Sequence, residues 1–242
     1  MLDYGIIGNC RTCALISKKA SVEWMCYPDF DSPSIFAKLL DEKKGGSLQI
    51  RPVGKYKISQ RYLPHTAILE TVFESEKDSF KVLDFFPRYR KLVSKRKDKL
   101  MRQNRMIRII KPITGKPRIR VIYDPKPNYA LKECDLVEEN GNLLCAGTEV
   151  SLISNLPYQA IIRQDIVELD KTKYLVVGKK DHTEDFNVKR CLILLNSTKK
   201  YWEKWVGSLI LPEMNRDLII CSAITLKLLT FSPTGAIVAA PT

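Results

Sequence analysis

Two pairs of closely spaced residues could do chemistry. Cys10-Arg-Thr-Cys13 has the C-x-x-C spacing of dithiol redox sites and of half a zinc site. A structural zinc needs a second such pair, and Cys134 and Cys145 are spaced too widely to be one. A redox dithiol wants a βαβ context, which the neighbouring sequence does not offer. Two reduced thiols at a coincidental spacing are therefore expected. Asp29 and Asp31 flank Phe30, and a close acid pair is a device of glycoside hydrolysis. Yet Pro28-Asp-Phe-Asp-Ser-Pro33 has the composition of a turn closed by side-chain bonds to backbone, and a turn is expected. The two histidines, His65 and His182, lie in different segments, which is poor material for a triad or a metal centre. No nucleophile elbow, phosphate loop or dinucleotide glycine pattern occurs. The expectation is no catalytic residue, no metal ligand and no cofactor.

Charge offers a third candidate. Of 40 Lys+Arg and 27 Asp+Glu, the stretch from Phe86 to Lys126 holds fifteen of the bases and two of the acids, Asp98 and Asp124. The whole net charge of +13 therefore sits there. Such a field can recruit phosphates or anionic surfaces. Aromatic residues that would stack on bases are nearly absent from its densest part, where Tyr89 stands alone, so a solvated loop between two strands is expected and nucleic acid is an unlikely partner.

The elements that must position these residues are mainly strands. Between Ser47 and about Lys180 the pattern has period two, as in Tyr56–Tyr62, Ala67–Phe73, Phe80–Phe86, Met106–Ile110, Arg118–Tyr123, Ala160–Leu169 and Lys173–Val177. Asn140-Gly141 marks a tight hairpin, because both positions favour positive φ. Short strands with no helices between them predict an antiparallel sandwich. Helical spacing then begins, with one helix expected from about Asp185 to Gly207 and a second from about Glu213 to Phe231. The second is apolar nearly all the way round, as a helix inside a larger helical assembly would be. The chain is expected to be cut at the start of a second, helical domain, and self-association of the fragment follows. No apolar run reaches the roughly 18 residues that span a bilayer and no secretory leader opens the chain, so a soluble cytoplasmic protein with all seven cysteines reduced is expected.

Tyr4-Gly-Ile-Ile-Gly-Asn-Cys-Arg-Thr12, Val22-Glu-Trp24 and Phe30-Asp-Ser-Pro-Ser-Ile-Phe36 resemble the opening of the glucoamylase-type glycoside hydrolases, family fifteen. That family includes prokaryotic glucoamylases, glucodextranases and archaeal or mycobacterial trehalases. Gln60-Arg-Tyr-Leu-Pro64, Leu69-Glu-Thr71, Val82-Leu-Asp-Phe-Phe-Pro87, Asp124-Pro-Lys-Pro-Asn-Tyr129, Tyr201-Trp202 and the stretch from Leu226 to Thr242 are similar to later landmarks, in order along the whole chain. Asp29 stands where many members have Arg, and Lys19-Ala20 replaces a usual Asp-Gly turn.

The resemblance implies a super-β-sandwich over residues 1–181, a linker helix over 182–207, and over 208–242 the first helix of an (α/α)6 barrel. It implies that the paired catalytic glutamates lie beyond the end of this chain, so none is carried over. The function expected is that of a non-catalytic N-terminal domain packing on the barrel of an inverting α-glucosidase. Its partners would be that barrel, in cis or as a separate chain, and through it an α-glucan or trehalose. Asn9, Arg11, Phe30, Asp31 and Ser32 are the candidate interface or active-site-mouth residues, with Arg11 and Asp31 the expected pair. The alternative is a stand-alone β-sandwich using the basic 88–120 stretch to hold nucleic acid or an anionic surface.

Overall fold

A computed structural model describes residues 3–94, 97–180 and 185–241. His182, the expected 181/182 boundary and Lys95-Arg96 of the basic run lie outside the described residues. The first strands are β1 (Tyr4–Gly8), β2 (Cys13–Ser17), β3 (Val22–Cys26), β4 (Ser34–Phe36), β5 (Ser47–Pro52) and β6 (Lys57–Tyr62). Next come β7 (Leu69–Glu74), β8 (Ser79–Phe85), β9 (Arg88–Ser94), β10 (Lys97–Arg102), β11 (Arg105–Thr114) and β12 (Arg118–Asp124). A helical turn α1 (Pro127–Ala130) precedes β13 (Leu136–Glu139), β14 (Asn142–Cys145) and β15 (Val150–Ser154). The rest is α2 (Tyr158–Ile162), β16 (Val167–Glu168), β17 (Lys173–Lys179), α3 (Val188–Val206) and α4 (Arg216–Leu228).

One sheet has the order β1-β2-β3-β5-β12-β16 with β4 on β3, and the other β13-β14-β15-β17-β11-β8-β7-β6. Every pairing is antiparallel, as hairpin-connected strands require. Inward-facing side chains such as Ile7, Ile16, Met25, Phe73, Phe80 and Val121 fill the space between the sheets. The chain is a β-sandwich. Tyr62 closes one edge: its hydroxyl accepts from Ile6 N at 2.7 Å and donates to Ile6 O at 3.0 Å. Gly5 permits that closure, because a Cβ there would stand 2.6 Å from a methyl of Leu69.

The sandwich core also holds an ion pair. Arg108 on β11 lies opposite Asp84 on β8, both side chains fully buried, with Nε donating to Oδ1 at 2.7 Å. The guanidinium reaches across to the other sheet, donating to Leu48 O at 2.8 Å and Ala20 O at 2.6 Å. Burial pushes the Asp84 carboxyl up, against the opposing pull of Arg108.

Three expectations change. Ala160–Leu169 is not one strand but α2 followed by the two-residue β16, because Pro157 starts a helical turn whose carbonyl accepts from Ala160 N. The basic stretch is not a loop: β9 and β10 pair as a separate antiparallel hairpin. Three of its cations, Arg88, Arg105 and Arg108, are buried. Cys134 and Cys145 are joined in a disulfide, not reduced, because the β13–β14 hairpin sets Leu136 beside Cys145 and brings the two Cα atoms to 5.5 Å. That hairpin turns at Asn140 (φ 49°) and Gly141 (φ 73°), the two positive-φ positions expected.

Both long helices form. α3 covers the outer face of the larger sheet with Cys191, Leu194 and Leu195, and Asn187 caps its start by accepting from Arg190 N. α4 packs on α3 with Ile220, Ile224 and Leu228 against Trp202 and Val206. Its other faces carry Leu218 and Leu226, which are 67% and 54% exposed. Among the described residues no helix is long and apolar enough to cross a membrane.

Removing one member of a buried ion pair strands the other charge, at about 3–5 kcal/mol. Asp84→Ala is expected to lower unfolding free energy by about that much in urea titrations, whereas Arg61→Ala, which removes an exposed partner of Glu70, is expected to cost under about 1 kcal/mol.

Candidate functional site

The candidate residues share one pole of the sandwich. The β1–β2 turn is built on Asn9, whose fully buried side chain accepts from the backbone N–H of Arg11 and of Thr12, each at 3.0 Å. Its amide donates to Gln103 O at 3.0 Å and Asn104 Oδ1 at 3.1 Å. Asn9 thus fastens the turn to the segment between β10 and β11. The β3–β4 loop begins at a cis Tyr27–Pro28 bond and is held by the same segment, since Asn104 Nδ2 donates to Pro28 O and the Tyr27 hydroxyl to Asn104 O. Within the loop, Asp29 N donates to Ser32 Oγ at 3.1 Å and Ser32 N to Asp29 O at 3.2 Å, which is the turn expected of this composition.

Arg11 pairs with Asp29 and not with Asp31. Nε and Nη2 donate to the two carboxylate oxygens at 2.6 and 2.7 Å. The side-chain bonding between Asp29 and Ser32 directs Asp29 back toward the first turn, and Asp31 is left exposed. Both oxygens of the Asp29 carboxylate are thus engaged by one guanidinium, while Asp31 stands apart from it.

The pole is also where the chain returns after α4. Ser232 N donates to Cys10 O at 2.8 Å, and Phe30 meets Phe231 edge-on at 6.1 Å between ring centres. The Cys10 thiol donates to Lys227 O at 2.9 Å and accepts from Arg88, whose guanidinium lies 4.7 Å from the Tyr201 ring centre. Nearby, the Trp24 indole donates to Pro241 O. The structure therefore brings together Asn9, Arg11, Phe30 and Ser32, and places Asp31 beside them with its carboxylate turned to solvent.

Arg88, Asn104 and Tyr27 were not anticipated in this role. Arg88 is hidden in a run of exposed-type residues, and the one signal that singles it out is its position directly after Phe85-Phe86-Pro87.

The thiols carry no visible chemistry. Cys10, Cys13, Cys26 and Cys191 are buried, and burial pushes Cys13 up, Cys26 up to about 11 and Cys191 up to about 12. Cys221 is the exposed free thiol. It lines a hollow of about 310 Å³ with His65 and Asp217, but among the described residues no hydrogen bond joins the three. In the native chain at pH 8, Ellman's reagent is expected to titrate one thiol rapidly, and Cys221→Ser to abolish that phase. Unfolding without reductant should raise the total to five.

The chain matches the family model "Trehalase-like, N-terminal" over residues 3–172. It is similar to the trehalase of Thermoplasma volcanium, with 26% identity over 99% of this chain and 39% of the relative. It is similar to the trehalase of Mycobacterium tuberculosis, with 27% identity over the same shares. Trehalase 1 of Sulfolobus acidocaldarius is 43% identical over 88 residues, or 36% of this chain and 15% of the relative. The chain spans about two fifths of the length of the trehalases it matches from end to end. No solved structure matches it. With a sandwich whose landmark residues brace its two sheets and a family match over most of its length, the chain belongs to the trehalase-like N-terminal family.

Proposed function

We propose that this chain is the non-catalytic N-terminal portion of a trehalase-like glycoside hydrolase, packing on a helical catalytic (α/α)6 portion and shaping the mouth of its active site. The parent reaction is inverting hydrolysis of an α-glucosidic bond. Trehalose is favoured as substrate over starch-type or dextran-type glucans because the relatives named above are trehalases. Residues 1–181 are the sandwich, 182–207 the linker helix, and 208–242 the beginning of the helical portion, which joins in cis or as a separate chain.

One observation carries this reading: the segment after α4 is stitched to the pole that holds Asn9, Arg11, Phe30, Asp31 and Ser32, through Cys10–Ser232 and Phe30–Phe231. A polypeptide continuing from α4 starts beside these loops. The apolar residues that α4 and its approach turn outward, among them Ile210, Met214, Leu218 and Leu226, suit a helical neighbour. The Arg11–Asp29 pair stands at the rim of that surface and is partly exposed, as an interface contact would be.

Purified chain is expected to show no hydrolysis of trehalose, maltose or maltooligosaccharides. Turnover that co-purifies with the protein and survives Asp29→Asn with Asp31→Asn would overturn the non-catalytic reading. Burying each exposed Leu or Met is worth roughly 1.5–3 kcal/mol, so the isolated chain is expected to scatter light as dimers or larger species. Leu218→Ser with Leu226→Ser should restore the monomer. A wild-type chain that is monomeric at the same concentration would show that α4 needs no partner.

A further inference from the structure

We propose that the groove between β9 and α3 is a binding site for an anionic sugar, a ring carrying a phosphate or carboxylate substituent. This site adjoins the pole described above through Arg88 and Tyr201, and its argument does not use the trehalase reading. The groove has a volume of about 480 Å³, within the range of small-molecule sites. Its walls combine three aromatic side chains, Tyr89, Tyr201 and Trp205, with three cations, Arg90, Lys200 and Lys204. On α3 the two aromatic and two cationic residues, Lys200, Tyr201, Lys204 and Trp205, fall at i, i+1, i+4 and i+5, so one face of the helix presents both kinds of group.

The aromatic rings are held in place. Trp205 stands edge-on to the buried Trp202 at 5.6 Å, Tyr201 edge-on to Trp202 at 5.4 Å, and the buried Arg88 supports Tyr201 from behind. Preset rings lose little freedom when a ligand stacks on them. The cations are uncompensated. Among the described residues none of Arg90, Lys200 and Lys204 has a carboxylate partner, and Glu203, the acid nearest in sequence, is paired with Lys199 at 3.7 Å. A neutral sugar would leave the three charges unused, and a bare anion would leave the three rings unused. A pyranose with an anionic substituent uses both, its C–H face on the rings and its charge on the ammonium and guanidinium groups.

The test is a tryptophan-fluorescence titration of the full chain with glucose 6-phosphate, glucose and inorganic phosphate as probes, at low ionic strength. Saturable quenching by glucose 6-phosphate is expected, with binding weaker by about tenfold or more for glucose and for phosphate alone. Trp205→Phe should remove the quenching, and Lys200→Gln with Lys204→Gln should weaken binding about tenfold by calorimetry without moving the melting temperature. The proposal is overturned by the absence of saturable binding, by phosphate binding as well as the sugar phosphate, or by undiminished binding in the double variant. A single-stranded oligonucleotide binding more tightly than glucose 6-phosphate would overturn it too, in favour of a nucleic-acid groove.

Discussion

The Arg108 guanidinium holds the two sheets of this molecule in register. It is bonded to Asp84 within its own sheet and to the carbonyls of Leu48 and Ala20 across the core, so both cross-sheet contacts are lost if the sheets slide. Burying a charge this deeply is costly unless its hydrogen bonds are made, and that cost is what forces the geometry. Ala20 sits in a left-handed turn, at φ 55°, and its carbonyl is one of the two that Arg108 bonds. The turn between β2 and β3 and the facing strand β11 are thereby tied. Both the β1–β2 turn and the β3–β4 loop start from strands anchored in this way.

Several of the residues that carry the family resemblance are braces. Gln60 donates to Ser17 O in the opposite sheet, Tyr62 closes an edge, Glu70 is buried between Arg61 and Lys81, and Asp84 carries the core ion pair. Asp124-Pro-Lys-Pro-Asn-Tyr129 ends in a left-handed turn at Asn128, Tyr129 and Ala130 that sets Tyr129 6.4 Å from Trp24. A motif can mark a family strongly while doing no chemistry, because backbone constraints are as demanding of residue type as catalysis is.

The strand pattern and the first long helix are legible from periodicity because each has one face in a core, and the Asn140-Gly141 hairpin is legible from the positive φ its turn requires. Ala160–Leu169 misled because its apolar residues belong to a single helical turn and a two-residue strand, both too short for either period to show. The basic stretch misled because charge is a poor guide to burial once a guanidinium finds aromatic faces and carbonyls, as Arg88 and Arg108 do. The disulfide was invisible because it depends on hairpin register and not on spacing along the chain. Of the site, the two loops were legible as turns, whereas the choice of Asp29 over Asp31 by Arg11 depended on a serine hydroxyl turning the loop back.

What remains is a sandwich with one pole turned toward its own C-terminal segment and an apolar helix with faces to spare. Under the proposed function, this pole serves a catalytic portion made of helices. The most direct measurement is the mass and cross-link map of the native protein captured from its source with an antibody to this chain. A species larger than 27.8 kDa is expected, either one continuous polypeptide or a tight complex, with cross-links from the Gly8–Thr12 and Phe30–Ser34 loops into helical sequence. Recovery of a free 27.8 kDa chain without such a partner would contradict it.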